Sequence, residues 1–378
     1  RKIIIKNNIR VQPVPTRQQF REFVRLPRDL YKNDPLWVPP LNILESLDHK
    51  KGNNPVLDRS EHCMLLAYKE FKPVGRIISY IDPRFNQYYQ SKTGMFGSFE
   101  CIDDQDVAAA LFSAADEWLL ERGMTDIRGP INPVAESWGF LLEGNTSPVY
   151  MSPHNPLYYN DFIELSGFSK AKDLLVYEVD AGKGYGLPER FLSFDKKILE
   201  KRKNLTVRNI NKRELKSEAL HILNILNAAV ADNWGFVPVE EDEMISIVKT
   251  LKLILDEKAI LFVEDEGVPV AVALGFPDIN VIFKKIKGRL NPFTIYRLIH
   301  ERKNIKDYRL WGLAVLPEYH GQGLDVLLYV QLYKALEPKN IRLEANYMLE
   351  DNLKILNALE KMNLTQIKKY RVYQKALV

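Results

Sequence analysis

Apolar and polar positions follow β-strand and helix patterns that recur in the same order in two halves of the chain. Residues 65–83 and residues 261–278 each alternate apolar and polar positions on both sides of a short turn, which predicts a β-hairpin in each half. Residues 323–336 carry the spacing of one apolar helix face, formed by Leu324, Leu327, Leu328, Leu332 and Ala335. The rest of the second half predicts helices at 213–230, 240–256 and 351–362, and strands at 308–316, 341–346 and 367–375.

The two halves also match each other in sequence. Pro73-Val74 aligns with Pro269-Val270 at an offset of 269 − 73 = 196 residues. Two further matches follow in the same order, which are Ile127-Arg128 with Ile341-Arg342 and Val176-Tyr177 with Val372-Tyr373. Ordered matches of this kind predict a duplication of about 190 residues. We therefore expect an α/β (α+β) fold with two tandem mixed sheets flanked by helices, divided at the glycine-rich segment 180–188 into units 1–182 and 188–378.

Composition narrows the class of protein. The chain has 378 residues, of which 46% are hydrophobic and 27% charged, so disordered, collagen-like and coiled-coil chains are excluded. Its apolar runs are far shorter than the roughly 20 residues that span a bilayer, and no signal-peptide pattern is present at the N-terminal end. Only Cys63 and Cys101 are present, without metal-ligand spacing, which favours a cytoplasmic protein with no metal site. The net charge of +4 gives no general argument for nucleic acid.

A glycine-containing loop carries the clearest chemical signal. Gly321-Gln322-Gly323 follows the predicted strand at 308–316 and opens directly into the predicted helix. Backbone N–H groups at such a helix entrance face the positive end of the helix dipole, which suits a phosphate or pyrophosphate group. The loop has neither the Walker pattern nor the glycine pattern of dinucleotide-binding folds.

These residues resemble the GNAT superfamily of N-acetyltransferases, whose pattern is an apolar strand ending in V-x-P-x-x-R/Q-x-x-G-x-G/A. Val315, Pro317 and Gly323 match it, whereas His320 stands where Arg or Gln is usual and Asp325 where the last Gly or Ala is usual. The family's later N-x-x-A-x-x-x-Y segment resembles the stretch that begins at Asn352, but Leu359 replaces the tyrosine often used as general acid.

The resemblance implies tandem GNAT-like units with a degenerate N-terminal copy. His154-Asn155 and Gly167-Phe168 resemble the end of a GNAT unit, but the loop at 101–106 holds three acidic residues and no glycine. A pyrophosphate is disfavoured there, so we expect acetyl-CoA to bind the C-terminal unit. The implied cofactor-binding residues are Leu313, Ala314, Val315, His320, Gly321, Gln322, Gly323, Leu324, Asp325 and Asn352.

Acetyl transfer needs an oxyanion donor for the thioester carbonyl and a base for the amine proton. The resemblance implies a donor among the backbone N–H groups of 313–315. Glu344 and Glu318 are candidate bases, and Tyr370 or Tyr373 is a candidate acid in place of Leu359. For each of these side chains, a surface or packing role is the alternative.

A turn-rich insertion at 128–145 suggests a small-molecule cleft, because long loops on a rigid scaffold often bind ligands. We expect its lining to include Asn132, Glu136 and Trp138 together with Asn233, Trp234, Asp278 and Asn280 from the second half. The alternative is that these are partly buried packing residues.

The expected function is a GNAT-like N-acyltransferase that moves an acetyl group from acetyl-CoA to an unidentified small-molecule amine, without membrane or nucleic-acid partners. One alternative is a non-catalytic GNAT-fold protein that binds CoA or another small molecule. A second is a Fem-like aminoacyl transferase, because residues 196–216 hold nine Lys or Arg and a smaller basic run comprises Lys284, Lys285, Lys287 and Arg289. Solvated helix faces account for such runs equally well.

Overall fold

The computed structural model describes residues 4–6, 8–133, 137–252 and 254–377. Contacts divide the chain into two compact units. Unit 1 comprises 1–174, 283–294 and 368–378, and unit 2 comprises 175–282 and 295–367. This division differs from the predicted boundaries, because two segments from the second half belong to unit 1. One of them is the end of the chain, where Tyr373 of the last strand and Leu377 just after it enter the core of unit 1.

The strands of unit 1 run in sequence order across most of its sheet. They are β1 to β7, at Ile4–Lys6, Ile9–Pro13, Glu61–Lys69, Lys72–Ile81, Thr93–Cys101, Asp126–Gly129 and Phe140–Glu143. Strand β8, Ser169–Asp180, begins in unit 1 and continues into unit 2, and the last strand, β14, Thr365–Ala376, returns to unit 1. The helices of unit 1 are α1 to α6, at Arg17–Leu30, Asn42–Asp48, Pro55–Arg59, Pro83–Tyr89, Gln105–Leu120 and Tyr158–Leu165.

The sheet of unit 1 is mixed. Its order is β1-β2-β3-β4-β5-β6-β14, with β7 also paired to β14. Strands β5 and β6 are parallel, and their neighbours pair antiparallel. Helix α5 supplies eight buried residues to the core because it is apolar over most of its circumference.

Unit 2 repeats this plan. Its strands β9 to β13 are Leu205–Asn209, Ile260–Asp265, Val268–Pro277, Asp307–Val315 and Arg342–Leu349. Its helices α7 to α10 are Glu189–Leu192, Phe194–Lys201, Leu215–Ala229 and Glu241–Leu251. Helices α11, Asn280–Ile286, and α12, Pro292–Glu301, both cross the division between the units, whereas α13, Leu324–Leu336, and α14, Leu353–Lys361, belong to unit 2. The strand order is β9-β10-β11-β12-β13-β8, with β12 and β13 parallel.

The two predicted hairpins are confirmed, and their turns are alike. Glu70 and Phe71 in the β3–β4 turn, and Glu266 and Gly267 in the β10–β11 turn, all have positive φ angles between 47° and 83°. Two consecutive positive φ angles match the right-handed twist of a two-residue hairpin. The structure therefore confirms a mixed α/β fold flanked by helices, in which the two units are built from similar elements in the same order. Their strands form one continuous mixed sheet in place of the two expected.

Each unit has its own hydrophobic core. Helix α13 packs on the sheet of unit 2 through a set of buried residues that includes Leu324, Leu327, Leu328 and Leu332, as its predicted apolar face requires. Helix α5 occupies the same place in unit 1. Among the described residues, no helix is long and apolar enough to cross a membrane. The described residues also contain no group of three or more His, Cys, Asp or Glu side chains that could hold a metal ion.

Candidate functional site

The parallel strands β12 and β13 of unit 2 diverge part-way along their length. Their pairing runs from Asp307 opposite Arg342 to Leu310 opposite Ala345. Beyond that point β12 continues to Val315 and pairs with β11 alone among the described strands. A register shift between Leu274 and Gly275 of β11 places an extra residue, Trp311, in β12 at the start of this divergence. A bulge at such a place bends the strand and re-aims its backbone groups.

The divergence exposes specific backbone groups. The N–H of Leu316 donates to the Val270 carbonyl at 2.9 Å, so Leu316 and the alternate residues before it direct their backbone groups toward β11. Leu313 and Val315 therefore direct theirs toward the open edge. At that edge Nε2–H of His320 donates to the Val315 carbonyl oxygen at 2.8 Å. The sequence analysis expected an oxyanion donor among the backbone N–H groups of 313–315. Of these, the N–H groups of Leu313 and Val315 are directed toward the open edge.

The loop after β12 depends on glycine at both of its positive-φ positions. Gly321 and Gly323 have φ angles of 74° and 78°. A Cβ built on Gly323 would lie 2.8 Å from Cζ of Phe194, whereas one on Gly321 would meet nothing within 4 Å. Gly323 is also the N-cap of α13, and no side chain caps that helix end. Since the first turn of any helix leaves N–H groups without acceptors in the helix, the amides of 324–326 are available to an anion.

Three predicted CoA-binding residues lie at this helix entrance, whereas a fourth, Ala314, lies in β12 and packs with residues of α9 and α10. Gln322 and Asp325 are exposed, Leu324 is buried beneath the loop, and Ala314 is buried in β12. The Gln322 side chain is held from both sides, because its Nε2 donates to the Glu318 carbonyl at 2.9 Å and its Oε1 accepts from Arg202. Asp325 is exposed in the first turn of α13, one residue after the buried Leu324.

Arg202 was not predicted, yet its guanidinium lies at the loop. It bonds to Gln322 and lies 3.8 Å from Oδ2 of Asp265. Oδ2 of Asp265 also accepts from the Tyr319 hydroxyl at 2.8 Å. Hydrogen bonds from Asn204 and Tyr319 lower the pKa of Asp265 below its ordinary value. The one sequence signal was the basic run at 196–216, which does not by itself distinguish Arg202 from its eight basic neighbours.

Glu344 lies on β13 one residue before the last paired position. It is fully buried, and its two oxygens accept from Arg342 Nη2 at 3.1 Å and Asn346 Nδ2 at 3.3 Å. Asn346 in turn accepts from Nε of buried Arg309 at 2.6 Å. Alternate residues of a strand share one face, which is why residues 342, 344 and 346 form this chain of polar groups. The candidate base is thus held in one position near the divergence of the strands, whereas Glu318 lies in an exposed turn.

Asn352 and Leu359 both belong to the structure of α14. Asn352 is the N-cap, and its side chain accepts from the Ile355 N–H at 3.4 Å. Leu359 is buried in the core of unit 2. Because a buried leucine has no proton to donate, any general acid must be another residue.

Tyr370 and Tyr373, the candidate acids, lie in the part of β14 that belongs to unit 1. Both are almost fully buried. The Tyr373 hydroxyl donates to Asn160 Oδ1 at 2.8 Å, and the Tyr370 hydroxyl donates to the Pro153 carbonyl at 3.2 Å. Burial raises the pKa of Tyr373 above its ordinary value. The catalytic role of these tyrosines stays a prediction.

The corresponding opening in unit 1 is filled. Strands β5 and β6 are paired as far as Met95 and Arg128, and a register shift in the β4–β5 pairing marks the same place as in unit 2. Beyond it, the Ile131 N–H donates to the Phe96 carbonyl at 2.8 Å, and Oδ1 of Asn132 accepts from the Ser98 N–H at 2.6 Å. Segment 130–133 therefore occupies the edge that stays open in unit 2.

The helix entrance of unit 1 is also blocked to anions. Asp104 is the N-cap of α5, and its carboxylate accepts from the Asp106 N–H at 3.0 Å. Lys69 Nζ lies 2.5 Å from the other oxygen of Asp104. Between the two units, only unit 2 presents an uncapped glycine entrance in the described residues.

The predicted cleft residues are divided between the two units. Asn132 and half-buried Trp138 are in unit 1, and Glu136 lies outside the described residues. Unit 2 contains Asn233, Trp234, Asp278 and Asn280. Asp278 is buried, and its carboxylate accepts from the Asn280 N–H at 3.1 Å. Asn132 is committed to β5, as described above, and the cleft stays a prediction.

Comparison with known proteins identifies relatives over the whole chain. The sequence is 32% identical over 374 residues to Protein YghO of Escherichia coli, which covers 96% of this chain and 94% of that protein. It is 31% identical over 380 residues to the bacterial ceramide synthase of Caulobacter vibrioides, covering 98% of each. The chain belongs to the family of these two proteins. No protein-family model matches the sequence.

Solved structures place this family in the GNAT fold. A tandem GNAT protein from the clavulanic acid biosynthesis pathway superimposes with a TM-score of 0.59 at 10% identity, over 98% of this chain and 99% of that one. A GCN5-related N-acetyltransferase from Sphaerobacter thermophilus gives 0.54 at 10% identity, over 99% and 97%. The predicted tandem GNAT fold is thus confirmed for this member of the YghO and ceramide synthase family.

Proposed function

We propose that the chain is an N-acyltransferase that forms a ceramide-type amide, from an acyl-CoA and the amino group of a long-chain amino alcohol. The observation that carries this proposal is the 31% identity to a bacterial ceramide synthase over 98% of both chains. The open edge of β12 beside an uncapped glycine loop supports it, because this arrangement suits a thioester next to a pyrophosphate.

The backbone and charge at the helix entrance of unit 2 support our assignment of CoA to that place, with Asp325 as the one opposing charge in the first turn. We assign the pyrophosphate to the amides of 324–326 and the guanidinium of Arg202, and glycine at 323 allows the positive φ angle from which α13 begins. These groups recognise CoA rather than the acyl chain. They therefore support equally acetyl-CoA, which is the donor expected from the sequence, and longer acyl-CoA donors. The similarity to a bacterial ceramide synthase favours the longer donors.

The proposed reaction is a direct displacement at the thioester. The amine nitrogen attacks the carbonyl carbon, a C–N bond forms, and the C–S bond breaks to release CoA thiolate. The backbone N–H groups of Leu313 and Val315 donate to the oxygen as negative charge develops on it. Glu344 is our proposed base for the amine proton, directly or through water. Tyr370 and Tyr373 stay the sequence-based candidates for the acid that protonates the thiolate, and both hydroxyls donate within unit 1.

The test is a donor and acceptor panel with the purified protein. Acetyl-CoA and palmitoyl-CoA are each combined with a sphingoid base in detergent and with short water-soluble amines, while free thiol and the amide product are measured. We expect the greatest turnover with palmitoyl-CoA and the sphingoid base. Turnover only with acetyl-CoA and short amines would contradict the ceramide-type assignment. Retention of acyl-CoA without turnover for every amine would favour the binding-protein alternative.

Arg202→Gln provides the site-specific arm of this test. We expect it to weaken CoA affinity about tenfold, because one charge-assisted contact to phosphate is lost. Lys69→Gln is the matched control, since Lys69 stands at the corresponding helix entrance of unit 1. Calorimetric titration with CoA measures both. Equal losses for the two variants, or a loss with Lys69→Gln alone, would place the site elsewhere.

A further inference from the structure

Helix α12 exposes apolar side chains where a surface helix ordinarily exposes polar ones. Advancing by 100° per residue, the exposed positions occupy a continuous arc of about 160°. The large apolar side chains on this arc are 43–68% exposed, and they are Phe293, Ile295, Tyr296 and Ile299. Exposed His300 lies on the same arc and stacks on the Tyr296 ring. On the opposite side, Thr294 is buried and Arg297 is half-buried in an ion pair with Glu301. The apolar face of this helix is therefore turned outward.

The apolar arc continues into the preceding loop and is flanked by basic residues. Leu290, immediately before the helix, is 41% exposed. Residues 284–303 contain seven basic side chains and one acidic side chain, Glu301, which gives a net charge of 7 − 1 = +6. The basic residues are Lys284, Lys285, Lys287, Arg289, Arg297, Arg302 and Lys303. The division between the units passes through α12. We therefore define the surface by the continuous segment 284–303 and by no other part of either unit.

We propose that segment 284–303 is an attachment surface for an anionic lipid bilayer. An outward apolar helix face with aromatic side chains can enter the boundary between lipid head groups and acyl chains, and Lys and Arg beside it attract anionic head groups. Such a helix lies in the interface and does not span the membrane. The expectation of no membrane partner rested on the lack of apolar runs long enough to span a bilayer. Attachment through segment 284–303 needs no such run.

Charge decides between a bilayer and a second copy of the chain. Two copies meeting through α12 would bring two segments of net charge +6 together, and like charges in contact are unfavourable. An anionic bilayer neutralises the same charge. The proposal extends the proposed function, since a long-chain amine and its amide product partition into membranes, but vesicle binding is measured without either substrate.

The test is co-sedimentation of the full chain with vesicles of phosphatidylcholine, alone or mixed with phosphatidylglycerol. We expect binding to the mixed vesicles that weakens as salt is raised, because salt screens the attraction. Phe293→Ser combined with Tyr296→Ser should reduce the affinity by at least about tenfold. Leu165→Ser combined with Phe71→Ser is the matched control, since both residues are exposed apolar side chains of unit 1. Thermal unfolding verifies that each variant is folded.

The electrostatic part is tested separately. Lys287→Gln combined with Arg289→Gln should weaken binding to mixed vesicles roughly thirtyfold, from about fivefold per charge. Lys196→Gln combined with Lys197→Gln removes the same charge from another exposed basic run and should have little effect. In Phe293→Trp, brominated lipids should quench the added fluorescence, whereas Phe71→Trp should stay unquenched.

Three results would overturn the proposal. One is the absence of wild-type binding to mixed vesicles at low salt. Another is binding that the α12 variants leave unchanged. The third is a wild-type dimer in solution that the Phe293 and Tyr296 substitutions convert to monomer while vesicle binding is absent, which would assign the face to a second copy. Because transferase activity is assayed in detergent, failure of this proposal leaves the proposed function testable, and the reverse also holds.

Discussion

A methyl group added at Gly323 would destabilise the loop in two ways, through the backbone conformation and through a steric clash. The residue has a positive φ angle of 78° and lies against Phe194, whereas Gly321 has nearly the same φ angle, 74°, in open space. The two glycines therefore separate the cost of the left-handed conformation from the cost of a steric clash within one loop.

We expect Gly321→Ala to lower the free energy of unfolding by about 1–2 kcal/mol through the backbone conformation alone. Gly323→Ala should lower it by roughly 1–3 kcal/mol more, because its Cβ also crowds the Phe194 ring. Urea denaturation of both variants measures the difference. Phe194→Ala in the Gly323→Ala background should recover part of that extra cost. Equal destabilisation by the two alanines would show that the Phe194 contact does not limit the loop.

Glu100 is a partly buried carboxyl group in unit 1 that takes no part in the proposed chemistry. Its Oε2 accepts from the hydroxyls of Tyr31 at 2.6 Å and Tyr159 at 2.9 Å. Burial raises its pKa to about 7, although Arg76 and the two tyrosine hydrogen bonds act in the opposite direction. Between the ordinary pKa of 4.5 and about 7 the folded chain retains a proton that the unfolded chain has lost.

Stability should therefore fall as pH rises through this window, since the folded state binds more protons. Below pH 4.5 both states are protonated, and above about pH 7 both are ionised, so the loss is confined between these values. Its size is on the order of 3 kcal/mol. Glu100→Gln keeps an acceptor for both tyrosines and should remove this part of the pH dependence. Urea denaturation at pH 5 and pH 8 compares the two proteins, and parallel pH profiles would refute the assignment.

Helices α5 and α13 are corresponding elements with opposite N-terminal electrostatics. In α5 the Asp104 carboxylate caps the first turn and is paired with Lys69. In α13 glycine is the cap, and the exposed carboxylate of Asp325 lies in the first turn without filling the cap position. The first helix end is satisfied internally, and the second is left available to a ligand.

Asp325→Asn should tighten CoA binding about tenfold. At roughly 4 Å and an effective dielectric constant near 20, its charge would oppose a pyrophosphate by about 4 kcal/mol, and solvent screening reduces this to about 1–2 kcal/mol. Calorimetric titration measures the change. Asp161→Asn, in the first turn of α6 and also exposed, is the control that should leave affinity unaltered. Unchanged affinity in Asp325→Asn would mean that the carboxylate faces away from bound CoA.

Across the whole molecule, chain order and structural unit do not coincide. The final residues 368–378 belong to unit 1, and Tyr373 and Leu377 lie in its core. In this unit the last strand pairs with β6 and β7, which precede it in the chain by more than 200 residues. Stability of unit 1 therefore depends on the last part of the chain.

Tyr373→Phe tests this dependence and the predicted acid role together. Loss of the hydroxyl leaves Asn160 Oδ1 without its 2.8 Å donor, so we expect a loss of about 1–2 kcal/mol in the free energy of unfolding. Tyr370→Phe should cost less, because its hydrogen bond to Pro153 is longer, at 3.2 Å. If these tyrosines have only a structural role, the substitutions should leave kcat and CoA affinity unchanged below the melting temperature. A fall in kcat with CoA affinity retained would instead support proton donation.

Local patterns in the sequence determined the hairpins, the apolar face of α13 and the glycine entrance to that helix. Each depends on residues within a few positions of one another, through strand alternation, helical spacing and the φ angles that glycine allows. The resemblance to GNAT proteins rested on the same short stretches, and it extended to the tandem fold.

Tertiary structure alone decided which opening is available and what surrounds it. Segment 130–133 closes the edge of β5, Arg202 reaches Gln322 from 120 residues away, and the last strand returns to unit 1. These contacts depend on strand register and on pairing between segments far apart in the chain, where a shift of one residue reverses the side-chain face. Residue spacing along the sequence carries no record of that register, so the open edge of β12 became visible only in the folded chain.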